Sequence, residues 1–334
     1  MSIAGTDPAS PAGAVPQLRV DYVADATPDA LLRPDTLAVL GFGSDAPACA
    51  DPRCLRVPLR PHGAAPLEVW RANAPVRSGR DGDLAWASDG ELAFGAIEVD
   101  EPDDGIERAA EHAYRRMLEH VQASDTPHLL RVWNYLSGIT HGQGDAERYR
   151  RFCVGRARGL GHVDTGQLPA ATAIGRSDEA RVLQVYWLAA RQPGTPVENP
   201  RQVSAYHYPR QYGPQAPSFA RAMLPPAGSR VPLLLSGTAA VVGHASQHAA
   251  DLLAQIDETF RNFDALIDNA RRQRPQLPAQ FGPGSRLKVY VRDVADLPVV
   301  AEALDRRLGD VPRIILHAAI CRRELAIEID GVHG

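Results

Sequence analysis

The stretch Val231-Pro232-Leu233-Leu234-Leu235-Ser236-Gly237-Thr238 decides the fold. Its apolar run is short and closes on Ser-Gly-Thr, so it reads as a buried strand ending in a turn. After it, Leu252, Ile256, Phe260, Phe263 and Ile267 recur on one helical face, which predicts a long helix from about Ala245 to Arg272. Leu287–Arg292 reads as the next strand, and Ala295–Leu308 as a helix with Leu297, Val300, Ala301, Leu304 and Leu308 inward. Pro312 opens a further strand, Arg313–Ala319, and Leu325–Ile329 ends the sheet.

The first half carries a similar order. Leu18–Val23, Thr36–Phe42, Cys54–Leu59 and Pro66–Ala72 are strand candidates. Leu84–Ala87 and Leu92–Val99 follow, with the hairpin signal Asp89-Gly90 between them. Ile106, Ala110, Ala113, Met117 and Val121 mark a helix. Then come an extended run, Leu129–Leu136, a helix from Asp145 to about Leu160, and the strand-like Arg181–Ala190. Both halves read strand, long helix, strand, short helix, strand. The fold class expected is therefore α/β (α+β), with two related units, each a mixed sheet packed against helices. The Pro/Gly-rich stretch Gln192-Pro193-Gly194-Thr195-Pro196 joins them. The expected division is a flexible arm at 1–16, an N-terminal α/β domain at 17–192 and a C-terminal domain at 196–334.

With 334 residues, 44% apolar and 23% charged, the chain has ample core for such units. A net charge of −4 gives no electrostatic case for nucleic acid or for a basic membrane-surface protein. No apolar run approaches the ~20 residues of a spanning helix. Met1 to Gln17 is Ala/Pro-rich, without the charged and apolar regions of a signal peptide, so the expected location is the cytoplasm. Cys49, Cys54, Cys153 and Cys321 show no CxxC pairing, and free thiols are expected. Of the 36 Lys and Arg residues only Lys288 is lysine, so almost every cation is a planar, permanently charged fork.

His207, His244, His248 and His317 raise the question of a metal. His244 and His248 are spaced i, i+4 on the predicted long helix, but no Glu follows His244 and no third ligand is evident. No metal is expected. There is no GxGxxG after a strand and no Walker A loop, so no nucleotide cofactor is expected either.

Two resemblances extend this reading. The C-terminal ~140 residues resemble the RidA (YjgF) or chorismate-mutase-like fold. The matching features are Tyr212-Gly213-Pro214, Leu235-Ser236-Gly237-Thr238, the long helix, Leu287–Arg292 with Asp296-Leu297, and Ile327-Glu328-Ile329-Asp330. That resemblance implies a twisted mixed sheet against two helices, with clefts that bind small carboxylates. The second resemblance covers most of the chain. Arg131-Val132-Trp133-Asn134-Tyr135, Tyr149–Arg156, Ala171–Gly175, Glu198-Asn199-Pro200, His207-Tyr208-Pro209, Tyr212-Gly213-Pro214 and Ser218–Ala222 look, in that order, like the chorismatases. These enzymes cleave pyruvate from chorismate.

Chorismate carries two carboxylates, a hydroxyl and an enolpyruvyl ether. Releasing pyruvate requires proton delivery to the enol-ether methylene by a positioned acid. The resemblance nominates Glu328. A Glu is almost wholly ionised at neutral pH, so this one must be desolvated or placed beside an anion. Alternation along Leu325-Ala326-Ile327-Glu328-Ile329 puts Ala326 and Glu328 on one face and the isoleucines on the other. The competing reading is a solvated Glu on an edge strand.

For the two carboxylates the resemblance nominates Arg156 and Arg221, with Arg131 as a further candidate and Tyr149 and Tyr212 as hydroxyl donors. The alternatives are solvated arginines and core tyrosines. Gly237 and Ala239, in Ser236-Gly237-Thr238-Ala239, offer close approach to a ligand at the N-terminus of the long helix; the alternative is an ordinary turn with Thr238 as a cap. Cys321 implies the branch that releases an aromatic hydroxybenzoate, as a base or as a guide for the C4 oxygen; otherwise it is a small buried hydrophobe.

The resemblance thus implies conversion of chorismate to 3-hydroxybenzoate, with 4-hydroxybenzoate as a second product, plus pyruvate and without a cofactor. Two alternatives stand beside it. One is addition of water to give 3,4-dihydroxycyclohexadienoate. The other is a RidA-like binding or enamine-clearing protein. RidA proteins are trimers with clefts between subunits; a duplicated chain can satisfy that interface internally, which favours a monomer over a trimer.

Overall fold

The structure is a computed structural model that describes residues 15–102, 105–162, 164–178 and 180–334. The first half runs β1 (Arg19–Val23), α1 (Pro28–Leu31), β2 (Thr36–Phe42), β3 (Cys54–Val57), β4 (Arg60–Pro61), β5 (Leu67–Arg71), β6 (Arg77–Asp81), β7 (Leu84–Ser88), β8 (Leu92–Asp100), α2 (Ile106–Ala123), β9 (His128–Leu136), α3 (Arg148–Leu160), β10 (Ala170–Gly175) and β11 (Val182–Ala190). The second runs β12 (Thr195–Val197), β13 (Ala222–Leu224), β14 (Leu233–Thr238), β15 (Val241–Val242), β16 (Ala245–Ser246), α4 (Leu252–Gln273), β17 (Arg286–Val291), α5 (Leu297–Leu308), β18 (Arg313–His317), β19 (Ala319–Ile320) and β20 (Ile327–His333).

The duplication is visible in the sheets. One has the order β19-β10-β9-β11-β8-β7-β6 and the other β4-β18-β17-β20-β14-β13-β12. Parallel pairs β9/β10 and β17/β18 occupy matching places, as do the antiparallel pairs β8/β11 and β14/β20. Each outermost strand on the matching edge comes from the other half: β19 pairs with β10, and β4 with β18. Tyr135 on β9 and Tyr290 on β17 meet hydroxyl to hydroxyl at 3.2 Å between the sheets. Helices α2 and α3 cover the outer face of the first sheet, and α4 and α5 that of the second. A smaller sheet, β1-β5-β2-β3, completes the molecule.

Two glycines set the height of α3. A Cβ on Gly155 would lie 1.9 Å from the Glu107 carbonyl oxygen, and one on Gly159 would lie 2.6 Å from that of Glu111. The backbones of α2 and α3 therefore touch, and α3 presents Tyr149 and Arg156 to the seam between the sheets.

Several expectations need correction. The long helix begins at Leu252, not Ala245, because the Asp251 carboxylate caps it by accepting the Ala254 N–H. Residues 241–246 form the small β15–β16 hairpin, and His248 sits at φ +54°. The last strand runs from Ile327 to His333 and lies between β14 and β17, so it is central rather than an edge. Cys49 and Cys54 are joined in a disulfide across the β2–β3 connection, whereas Cys153 and Cys321 are free thiols. Positions 1–14 of the expected arm lie outside the described residues. Pro16 is paired, its carbonyl accepting the Arg230 N–H at 2.7 Å. No helix among the described residues is long and apolar enough to cross a membrane.

Candidate active site

A cavity of about 390 Å³ opens where β10, β14 and β20 converge under α3 and the 202–221 loop. β20 alternates as expected. Ile327 and Ile329 enter the core beneath α4 and α5, and Glu328 turns to the cavity. Only 5% of Glu328 is exposed. Burial pushes its pKa up to about 8; the neighbouring Asp330 adds to this, and Arg131, Arg221 and Arg322 oppose it. The carboxyl lies flat against β14, where a Cβ on Gly237 would be 1.8 Å from Glu328 Oε1. Gly237 is required here for close approach. Glu328 is thus a buried carboxylic acid that holds its proton at neutral pH and faces open space.

Arg156 and Arg221 line the same cavity, and both are buried. Arg221 Nη2 donates to the Val203 carbonyl at 3.0 Å and to Tyr208 Oη at 2.7 Å, but its Nε has no hydrogen-bond partner among the described residues. Arg156 leaves Nε and Nη2 without a hydrogen-bond partner among the described residues, its guanidinium lying 5.4 Å from the Phe152 ring. Neither is in an ion pair among the described residues. Buried guanidinium groups with unused donors are costly unless an anion completes them. Two such forks in one cavity suit a dicarboxylate.

Tyr149 and Tyr212 also line the wall. Burial raises the Tyr149 pKa well above the ordinary value, so it remains a hydroxyl donor. Tyr212 Oη lies 3.1 Å from His244 Nδ1. Cys321 directly follows β19, the strand lent to the first sheet, and that exchange carries it into the cavity. Burial and the nearby Glu328 push its thiol far above the usual range. It is a neutral thiol, which fits a guide for the substrate oxygen better than a ready base.

Arg131 does not reach the cavity. It is fully buried behind the wall, where it donates to the Val132 carbonyl, Thr172 Oγ1 and Asp330 Oδ2 and lies over Trp133 at 4.2 Å. Its ion pair with Asp330 takes the place of the expected substrate contact. Gly237 and Ala239 do line the cavity, but not as a helix N-terminus, since the β15–β16 hairpin separates them from α4. Thr238 is no cap; its hydroxyl donates to the Ser236 carbonyl. His244 and His248 share no helix. Their rings go to Tyr212 and to Glu258 respectively.

Arg322, Thr172, Tyr208 and Phe219 also line the cavity; the last three lie in the chorismatase-like stretches but were not proposed as site residues. Arg322 lies 4.2 Å from the Tyr212 ring centre and 5.1 Å from that of Tyr208, and it donates to the His244 carbonyl. Its position directly after Cys321 was the available signal. In the half-to-half equivalence, Gln184 takes the place of Glu328. Tyr290 pairs with Glu328, and Tyr135 in the matching place pairs with Gln184. The Gln184 amide is spent on the Arg56 carbonyl of β3 and on Glu98.

Residues 68–189 match the family described as chorismatase FkbO/Hyg5-like, N-terminal. A chorismatase of Streptomyces hygroscopicus is 37% identical over 273 residues, 79% of this chain and 78% of that protein. The chain belongs to the chorismatase family. A 3-hydroxybenzoate synthase of Streptomyces hygroscopicus is 35% identical over 276 residues, covering 79% of this chain and 80% of that protein. A chorismatase crystal structure superposes with a TM-score of 0.85 at 32% identity, covering 96% of this chain and 99% of that one. The fold of this chorismatase, with its two related sheet-and-helix units, is therefore shared along nearly the whole chain.

Proposed function

We propose that this chorismatase converts chorismate to 3-hydroxybenzoate, with 4-hydroxybenzoate as a second product, and pyruvate. The observation that carries the reading is a buried Glu328, its pKa raised to about 8, in a cavity also lined by Arg156 and Arg221, two buried guanidinium groups in no ion pair among the described residues. In this reading the two guanidinium groups take the two carboxylates, and Tyr149 and Tyr212 offer hydroxyl donors. Glu328 gives its proton to the enolpyruvyl methylene. The ether carbon becomes oxocarbenium-like, and the ring C–O bond breaks with its electron pair going to the departing pyruvate oxygen. The neighbouring C4 hydroxyl closes on the vacated ring carbon, and its proton passes to the Glu328 carboxylate, restoring the acid. Ring opening and loss of a ring proton then give the aromatic product. Substrate and products balance without added water or an external oxidant, and aromatisation drives the sequence forward.

Cys321, a neutral thiol beside Glu328, guides the C4 oxygen during ring opening. The likeness to a 3-hydroxybenzoate synthase supports this product. The test is to incubate the protein with chorismate and quantify pyruvate and ring products from the same reaction. Equal amounts of pyruvate and hydroxybenzoate are expected. Release of 3,4-dihydroxycyclohexadienoate would replace this reading with hydrolysis. Glu328→Gln should lower turnover by roughly 10²–10⁴-fold, the worth of a general acid, while chorismate still binds. Turnover within a few-fold of wild type would remove Glu328 from the mechanism.

A further inference from the structure

Glu328 and Asp330 lie two residues apart on one face of β20, yet their surroundings are opposite. Asp330 is fully buried, and its Oδ2 accepts from Thr172 Oγ1 at 2.8 Å, Tyr290 Oη at 2.9 Å, and Trp133 Nε1 and Arg131 Nη2 at 3.1 Å each. Lys288 Nζ stands 3.9 Å from Oδ1. Four donors on Oδ2, with the Arg131 and Lys288 cations beside the group, suit a carboxylate acceptor, while Oδ1 has no hydrogen-bond partner among the described residues. Glu328 receives no hydrogen bond from any described residue. The two carboxyl groups therefore stand side by side in opposite settings, one without donors and one held by four.

The same network reaches the acid through the backbone. Thr172 Oγ1 donates to Asp330 and accepts the Gly237 N–H at 2.9 Å. Gly237 is the surface on which the Glu328 carboxyl rests. We propose that Asp330 is a positioning residue for the acid: as a clamped, buried anion it keeps the proton on Glu328, and through Thr172 it fixes the Gly237 backbone against which Glu328 lies. This inference rests on the reading of Glu328 as the proton donor.

The other groups around Glu328 leave Asp330 as the anion that matters. Arg131 on β9 faces it but is already paired with Asp330. Arg221 and Arg322 face it from the cavity wall. Arg292, at the end of β17, spends its donors on the carbonyls of Leu325, Ile320 and Arg322. Tyr149 on α3 and Cys321 after β19 are neutral. Glu324 is bonded to Ser246 at the rim.

The test is the pH profile of kcat/KM for chorismate in wild type, Asp330→Asn, Arg131→Gln and Glu328→Gln. Activity of the wild type should fall above about pH 8, because the acid form of Glu328 is then lost. Asp330→Asn removes the anion and should move this fall down by about one pH unit or more, a loss of roughly fivefold or more at pH 8 that approaches tenfold at pH 9, with activity retained near pH 6. Arg131→Gln removes the counter-cation and should move the fall upwards. A pair with only a structural role would lower activity in both variants and leave the position of the fall unmoved. Whichever variant folds decides the matter. An unmoved fall, with Glu328→Gln inactive, overturns the role of Asp330 alone. An active Glu328→Gln overturns the proton-donor reading instead.

Discussion

Replacing Gly237 with alanine tests the placement of the acid without touching its chemistry. The new methyl carbon would lie 1.8 Å from Glu328 Oε1, 2.9 Å from its Cδ and 3.3 Å from Thr172 Cγ2. Comfortable contact needs about 3.5 Å, so the carboxyl must retreat by roughly 1.5 Å. Gly237 lies in the irregular stretch of β14 between Leu235 and Thr238 but does not have a left-handed φ, and the nearest atoms that must give way are the end of the Glu328 side chain, so the fold should survive. A displacement beyond ~1 Å at a reacting group costs on the order of 10²-fold. We therefore expect Gly237→Ala to lower kcat by roughly 10²-fold or more. KM should stay within a few-fold, since Arg156 and Arg221 are not among the atoms the methyl meets. Pyruvate release can be followed continuously through lactate dehydrogenase and NADH, with a melting curve to confirm folding. A folded Gly237→Ala protein with kcat within about threefold of wild type would refute the reasoning, because the acid could not then depend on its position against β14.

Two further outcomes follow from the same geometry. Arg156→Ala and Arg221→Ala should each lower kcat/KM by on the order of 10²-fold, as expected for a charge-assisted contact to a desolvated carboxylate, whereas Arg151→Ala should have little effect, since Arg151 pairs with Glu107 at 2.5 Å with its side chain half exposed; equal small effects at all three positions would contradict the assignment. Cys321→Ala should change the ring product more than the rate of pyruvate release, because the sulfur is not the acid and its loss leaves a space beside the ring that water can enter; an unchanged product ratio at near-normal rate would make Cys321 a packing residue.

Local chemistry already determined much of this protein. The helical spacing from Leu252 to Ile267 and the strand run Leu287–Arg292 were readable because periodicity is a property of neighbouring residues. Alternation in Ile327-Glu328-Ile329-Asp330 placed Glu328 opposite the core isoleucines, and the same alternation carries Asp330 to the Glu328 face. The duplicated order of elements was also legible, and the two sheets have matching strand orders. Tertiary structure decided the rest, because the rest depends on partners far apart in the chain. Arg131 looked like a ligand until Asp330, 199 residues away, came to lie 3.1 Å from it. Cys321 reaches the cavity because β19 pairs with β10 of the other half. The Asp251 cap moved the start of α4 past His248, ending the i, i+4 reading of the histidines. The raised pKa of Glu328 comes from burial and from the neighbouring Asp330, and its close approach to Gly237 places it, a setting that only the packing of β10, β14 and β20 creates.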